Sequence, residues 1–276
     1  DFDAIYGAFL KAFSNYAADT SYMTRDVLYN RCIKNGVDLS CSAGVFRNGE
    51  MLGFSLTGLD NFRGQSSAFD IVTGIIPAEQ GKGLSGKMFS FILQQVVGRS
   101  VSKFYLEVLQ VNEPAVRAYR KAGFKINRSY ECMELELQEF RQPAKVPGLE
   151  IRQCNVSELL AYRQFSDTEP SWENSFHSLE RIIDPVCCYL AELGGKPAGI
   201  MAYYPATNWV MVLATDPRNR RMGIASSLLD RLVTDQRSLR ERIRMINIDM
   251  ENLPALAFAG KNGFRSIITQ YEMVLD

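Results

Sequence analysis

Asn112-Glu113-Pro114-Ala115-Val116-Arg117-Ala118-Tyr119-Arg120-Lys121-Ala122-Gly123-Phe124 decides the fold, because the chain writes it twice. The second version is Asn252-Leu253-Pro254-Ala255-Leu256-Ala257-Phe258-Ala259-Gly260-Lys261-Asn262-Gly263-Phe264, 140 residues later. The same offset relates Pro77, Gln80 and Gly83 to Pro217, Arg220 and Gly223, with no gap between the blocks. A repeat of this length exceeds a solenoid unit and matches one domain. The 276 residues therefore read as two copies of one domain, each long enough for its own core.

Outward from the quoted stretch, elements follow from pattern. Glu113 to Ala122 is a helix that stops at Gly123, the residue type favoured just past a helix end. Phe104 to Leu109 before it and Phe124 to Leu137 after it read as strands. Upstream, Ile5, Phe9 and Phe13 repeat every four residues, which predicts a helix, and a second helix runs from Asp26 to Lys34. Asn48-Gly49 between apolar runs predicts a hairpin, and Arg63-Gly64-Gln65 turns into a strand at Ala68 to Ile76. The second copy repeats the order: strand Leu149 to Arg152, a helix capped near Ser157, two strands joined through Gly194-Gly195, then Trp209 to Ala214. Its last elements are strand Ile243 to Met250, helix Pro254 to Asn262 and strand Phe264 to Leu275.

Two prolines and a glycine in Gln142 to Gly148 break regular structure. The division is thus 1–140, a linker at 141–148, and 149–276. The first copy lacks a counterpart of the strand at Leu149. That strand is expected upstream of Asp1, unless another segment takes its place.

Composition excludes several classes. Thirty-one basic residues balance thirty-one acidic ones, so no charge excess argues for nucleic acid or an anionic membrane as partner. No apolar run reaches membrane-spanning length, and no signal peptide is visible. None of the six cysteines forms a C-x-x-C pair, and His177 is the one histidine, so no Cys/His metal site is expected. A reducing, cytoplasmic setting fits this cysteine usage. A homo-oligomer is compatible with the sequence but not specified by it.

The segment before each main helix carries chemistry. Gln80-Gly81-Lys82-Gly83-Leu84-Ser85 and Arg220-Arg221-Met222-Gly223-Ile224-Ala225 both follow a strand and a proline, and both enter a helix. A helix start leaves backbone N–H groups unpaired and carries a partial positive charge, which suits a phosphate group. Glycine lets the backbone approach such a ligand. No Gly-Lys-Ser/Thr stands where a phosphate-loop NTPase needs it. The preceding strands form hairpins, which argues against a dinucleotide fold.

These two loops, with Asn112 to Phe124, resemble the GNAT superfamily of acyl-CoA-dependent N-acetyltransferases. The resemblance covers nearly the whole chain. It implies an α+β (α/β) fold of two tandem domains, each a mixed, mostly antiparallel sheet flanked by helices. It implies acetyl-CoA as cofactor, its diphosphate on the two loops and its pantetheine arm along Gly74, Ile75 and Ile76, with Asn112 also contributing. The acceptor implied is a primary amine of a small molecule or peptide. Acyl transfer to an amine needs a base for the nitrogen and a proton for the leaving thiolate. The resemblance places the proton donor at Tyr119; the second copy has Ala259 there. Asp70 and Glu107, carboxylates on strands where apolar residues are cheaper, are the candidates for the base. Catalysis is therefore expected in the first copy. Two rival readings remain: an acyl-CoA sensor without turnover, and a mycothiol-synthase-like tandem acyltransferase whose active site lies in the second copy.

Overall fold

The structure, a computed structural model, describes all 276 residues, Asp1–Asp276. In chain order the first half contains α1 (Phe2–Ala12), α2 (Arg25–Lys34), β1 (Ala43–Arg47), β2 (Glu50–Phe62), β3 (Gln65–Ile75), α3 (Leu84–Val97), β4 (Lys103–Leu109), α4 (Glu113–Lys121) and β5 (Lys125–Glu136). The second half contains β6 (Leu149–Cys154), α5 (Val156–Leu160), α6 (Phe176–Glu180), β7 (Cys187–Leu193), β8 (Lys196–Tyr204), β9 (Trp209–Thr215), α7 (Ile224–Gln236), β10 (Arg242–Asp249), α8 (Leu253–Lys261) and β11 (Arg265–Leu275). No helix is long and apolar enough to cross a membrane.

Local chemistry sets these elements. Asn48 and Gly49, then Arg63 and Gly64, all take positive φ, as the tight turns of right-twisted hairpins require. Asn112 and Asn252 cap α4 and α8 by accepting from the amides of Ala115 and Ala255. Gly123 ends α4 in the left-handed region at φ 100°. The cap of α5 is Asn155 rather than Ser157: its side chain accepts from Glu158 N at 2.8 Å.

The chain divides into two compact units, but not along the linear boundary at 140 to 149. The first unit is 1–129 with 270–276; the second is 130–269. Each unit takes its closing strand from the other repeat. In the first unit, β11 residues Gln270 to Leu275 run antiparallel to β4 residues Leu109 to Phe104. In the second, β5 residues Tyr130 to Glu136 run antiparallel to β10. β5 and β11 hold equivalent places, each directly after the last helix of its repeat, so their order along the chain does not reveal the choice.

The first unit's sheet begins at β1, which pairs with β2, followed by β3 and β4. Its core joins Phe89 and Ile92 of α3, Phe104 and Leu106 of β4, Phe124, and Met273 of β11. The second unit's sheet begins one strand earlier, at β6, paired with β7. Leu228, Leu229 and Leu232 of α7 fill one of its cores, and Leu190, Ile200 and Trp209 another. Cys188 lies in the latter as a small buried residue.

Both units share one irregularity. Leu56 faces Val72 but Thr57 faces Asp70, so Ile71 is an extra residue in β3. Ala202 faces Val212 but Tyr203 faces Val210, so Met211 is extra in β9, 140 residues on. A bulge flips the alternation of side chains beyond it.

Candidate active site

The bulge at Ile71 brings Asp70 and Thr73 to one face of β3. The Thr73 hydroxyl lies 2.8 and 2.9 Å from the two Asp70 carboxylate oxygens, and 2.8 Å from Ser55 Oγ on β2. Tyr119 Oη, from α4, donates to Asp70 Oδ2 at 3.1 Å. The phenol ring is fixed edge-on against Phe89 and Phe124, with centroids 5.4 and 5.9 Å away. Thus a strand and a helix 49 residues apart in sequence deliver one carboxylate and one phenol to each other.

Burial tunes both groups. Asp70 is buried, and loss of solvation pushes its carboxyl up to about 6, although hydrogen bonds from Thr73 and Tyr119 oppose the rise. Arg31, also in the first unit, favours the charged carboxylate. Tyr119 is raised well above the ordinary phenol value, by burial first and then by the Asp70 charge. Tyr16 hydrogen-bonds the Asn112 side chain and is likewise raised by burial. Asn112 therefore serves this cluster as well as the cap of α4.

Glu107 does not join them. The parallel β3–β4 register sets Asp70 beside Leu106, so the neighbouring Glu107 projects from the opposite face. There it stands opposite Glu272 of β11. Glu272 is buried and accepts from Arg63, Arg128 and Asn127. Arg63 also stacks over the rings of Phe62 and Tyr105, at 4.5 and 5.4 Å.

The loop before α3 has the form of an anion cradle. Gly83 caps α3 in the left-handed region, φ 76°, and no side chain caps the first turn. A Cβ added at Gly81, Gly83 or Gly86 would meet nothing within 4 Å, so the backbone here is open to a ligand. Leu84 and Ser85 form the first turn itself. Lys82 and Arg47 both bind Glu79, leaving one net positive charge beside the loop. Gln80 Nε2 donates to the Ile75 carbonyl. β3 pairs with β4 from Ser67 to Asp70 and no further, while Gly74 and Ile75 stay paired to β2 on their other side. Ile76 N donates to Leu52 O. Beyond Asp70, β3 therefore has no strand paired on its β4 side, where Gln80 holds the Ile75 carbonyl. These residues fit the thioester carrier that the loop pattern implies.

The second unit repeats the loop with changes. Gly223 is left-handed at φ 89°, and Arg221 takes φ 66° where the first unit has Gly81. Arg220 is engaged by Asp167 at 2.7 Å. A Cβ on Gly223 would lie 3.1 Å from Val146. Met222 is exposed, and Ile224 and Ala225 begin α7. Where the first unit has Asp70, Thr73 and Tyr119, the second has Val210, Leu213 and Ala259.

Thr73, Ser55 and Arg31 were not singled out by sequence. Thr73 follows Asp70 by three residues, which in a regular strand puts it on the other face. Only the bulge reverses that.

Comparison with known proteins places this geometry. The acetyltransferase (GNAT) family matches residues 2–124 and again 155–264. A GCN5-related N-acetyltransferase from Sphaerobacter thermophilus superposes with TM-score 0.74 at 15% identity, over 99% of this chain and 91% of that one. A tandem GNAT protein from the clavulanic acid biosynthesis pathway gives 0.72 at 12% identity, over 99% and 94%. A putative acetyltransferase from Pyrococcus horikoshii gives 0.70 at 17% identity, over 100% and 85%. At these identities the likeness shows the fold alone. A comparison with curated proteins finds no match. With two family matches that together span most of its length, the chain belongs to the acetyltransferase (GNAT) family.

Proposed function

We propose that the first unit is an acetyl-CoA-dependent N-acetyltransferase that acylates a primary amine of a small molecule or peptide by direct attack in a ternary complex. The observation that carries this reading is the buried Tyr119–Asp70 pair at 3.1 Å, absent from the matching positions of the second unit. When bound, acetyl-CoA supplies an activated acyl group and a thiolate leaving group. Gly81 to Ser85 and the first-turn amides of α3 hold its diphosphate. The β4 side of β3 at Gly74 to Ile76 aligns its arm.

Asp70 is the proton acceptor. With its carboxyl at about 6, it is charged at neutral pH yet basic enough to take a proton from an attacking amine. Tyr119 Oη holds the proton for the departing sulfur. While Asp70 is charged, it opposes loss of that proton. Once Asp70 Oδ has accepted the amine proton, the opposition ends, and Tyr119 Oη can release its own. The proton on Asp70 then returns across the 3.1 Å hydrogen bond to the phenolate. The net movement carries one proton from amine nitrogen to sulfur and restores both side chains. Thr73 and Ser55 keep the carboxylate turned toward the phenol.

Release of thiol from acetyl-CoA with an amine panel tests this. Tyr119→Phe should lower kcat by about 10²- to 10⁴-fold, the range for a positioned acid, with KM for acetyl-CoA little changed. Turnover that survives Tyr119→Phe but not Gly223→Glu would move the active site to the second unit. Cofactor binding without turnover of any amine would favour the sensor.

A further inference from the structure

Around the bulge, β2 and β3 gather four polar side chains on one face. Ser55 stands opposite Thr73, and Thr57 stands opposite Asp70. Ser55 and Thr57 have no exposed surface, and Asp70 is buried. Three of the four are bonded together: Ser55 to Thr73, and Thr73 to both oxygens of Asp70. Thr57 is the exception, because its hydroxyl oxygen is buried and has no hydrogen-bond partner. A buried hydroxyl left this way costs free energy. The fold does not require it. In the second unit the same places hold Met201 opposite Leu213 and Tyr203 opposite Val210, and the Tyr203 hydroxyl donates to Asn208 Oδ1 at 3.1 Å.

The backbone explains what Thr57 can reach. Its N–H donates to Ser42 Oγ at 3.0 Å, and its carbonyl accepts from Asp38 N at 2.8 Å. Both backbone groups therefore point away from β3. Thr57 and Asp70 thus form a non-hydrogen-bonded cross-strand pair, the class in which facing Cα atoms come to about 4.5 Å and side chains stand closest. With its backbone held, Thr57 can gain a partner only by rotation about Cα–Cβ. The nearest strong acceptor across the pair is the Asp70 carboxylate, which is turned to Thr73 and Tyr119.

We propose that Thr57 is a positioning residue for Asp70: a reserve donor that bonds the carboxylate when Tyr119 Oη turns away from it. The role rests on the acyl-transfer reading, in which Tyr119 must aim its O–H at the departing sulfur. Asp70 then loses a donor before it has taken the amine proton. The Thr57 hydroxyl, rotating in, keeps the buried carboxylate charged and in place. Only hydrogen bonds are exchanged in this step. The ionisable groups acting on Asp70 are Tyr119 of α4 and Arg31 of α2, with Tyr16 acting on Tyr119. A change at Thr57 leaves all three in place.

The experiment is a double-variant cycle on the intact chain. It is read by titrating the Asp70 carboxyl carbon in protein labelled with ¹³Cγ-aspartate, assigned with Asp70→Asn. Thr57→Val keeps the side-chain shape and removes a hydroxyl that bonds nothing at rest. Its Tm should hold or rise, and the Asp70 midpoint should move by less than about 0.3 pH unit. Tyr119→Phe removes the phenol donor, so Thr57 should take over. Adding Thr57→Val to Tyr119→Phe should then raise the midpoint by about one pH unit more. Adding Thr57→Ser, which keeps a hydroxyl, should not. Thr57→Ala replaces Thr57→Val if the latter does not fold. Equal shifts from Thr57→Val in both backgrounds overturn the proposal, and so does no shift in either. A shift from Thr57→Ser as large as that from Thr57→Val also overturns it, because packing would then be the cause. The cycle needs no turnover. Thiol release with the amine panel reports acyl transfer separately, so either reading can fail while the other stands.

Discussion

The two units carry the same bulge and put opposite chemistry on it. Ile71 and Met211, 140 residues apart, are both squeezed out of register. In the first unit the bulge presents Asp70 and Thr73, with Ser55 opposite Thr73 and Tyr119 above. In the second it presents Val210 and Leu213, with Met201 opposite Leu213 and Ala259 in place of the phenol. The bulge therefore belongs to the fold, since it persists where no polar group needs it. The carboxylate does not, because the same backbone closes over valine. Burying a carboxylate costs free energy that burying valine does not. That cost has no counterpart in the second unit, which supports the proton-acceptor role proposed for Asp70.

A second asymmetry lies on the closing strands and carries the largest expected effect on stability. Glu272 of β11 corresponds by the repeat to Cys132 of β5, and Glu107 of β4 to Asn247 of β10. The first unit thus closes on a buried carboxylate held by Arg63 and Arg128, the second on a thiol 3.7 Å from an amide. Glu272→Ala strands two largely buried guanidinium groups and should cost about 3–5 kcal/mol. Cys132→Ala should cost about 1 kcal/mol. Urea unfolding of both variants checks the contrast. Equal losses would mean that the ion cluster is no more than filling. Changing Arg128 to Met in the Glu272→Ala background should recover part of the loss, because it removes one stranded charge.

The next effect separates the buried carboxylate from its valine counterpart by pH. Asp70 stays protonated in the folded chain up to about pH 6, while an unfolded aspartate titrates near 3.9. Between these values the folded chain binds more protons than the unfolded one, so its stability falls as pH rises from about 4 to 6. The fall reaches about 3 kcal/mol at most. Asp70→Asn should therefore match the wild type near pH 4 and exceed it in Tm at pH 8, while losing acyl transfer. In the wild type, kcat/KM should climb about tenfold per pH unit up to about 6 and then level. A variant no more stable at pH 8 than at pH 4 relative to wild type would show that Asp70 is not strained by burial.

What could be read in the sequence was what local chemistry fixes. Asn48-Gly49 declared its hairpin, and both glycines at the ends of α4 and α8, Gly123 and Gly263, took positive φ. The two helix-start loops stood out through the repeat, whereas Tyr119 entered as a candidate through the family resemblance and Asp70 as a carboxylate on a strand where an apolar residue is cheaper. Partner choice was not. β5 and β11 follow the same alternation, so nothing local says that each closes the other repeat's sheet. Nor did the apolar run around Ile71 announce a bulge, without which Thr73 points the wrong way, and the β3–β4 register that sets Glu107 on the face away from Asp70 was equally hidden.

The smallest effect compares the two cradles. Gly83 and Gly223 both cap a helix in the left-handed region, so alanine at either carries about 1–2 kcal/mol of backbone strain. Their surroundings differ: a methyl at position 83 enters open space, whereas one at 223 meets Val146 at 3.1 Å. Stability should therefore fall slightly more for Gly223→Ala. Function should show the reverse order. Gly83→Ala intrudes where the diphosphate approaches the backbone, and should raise KM for acetyl-CoA several-fold with kcat nearly unchanged. Gly223→Ala should leave both constants alone, since the acyl transfer proposed here does not pass through its cradle. If Gly223→Ala were the variant that raised KM, the second loop would be the one that feeds the reaction, and the carboxylate and phenol of the first unit would need another explanation.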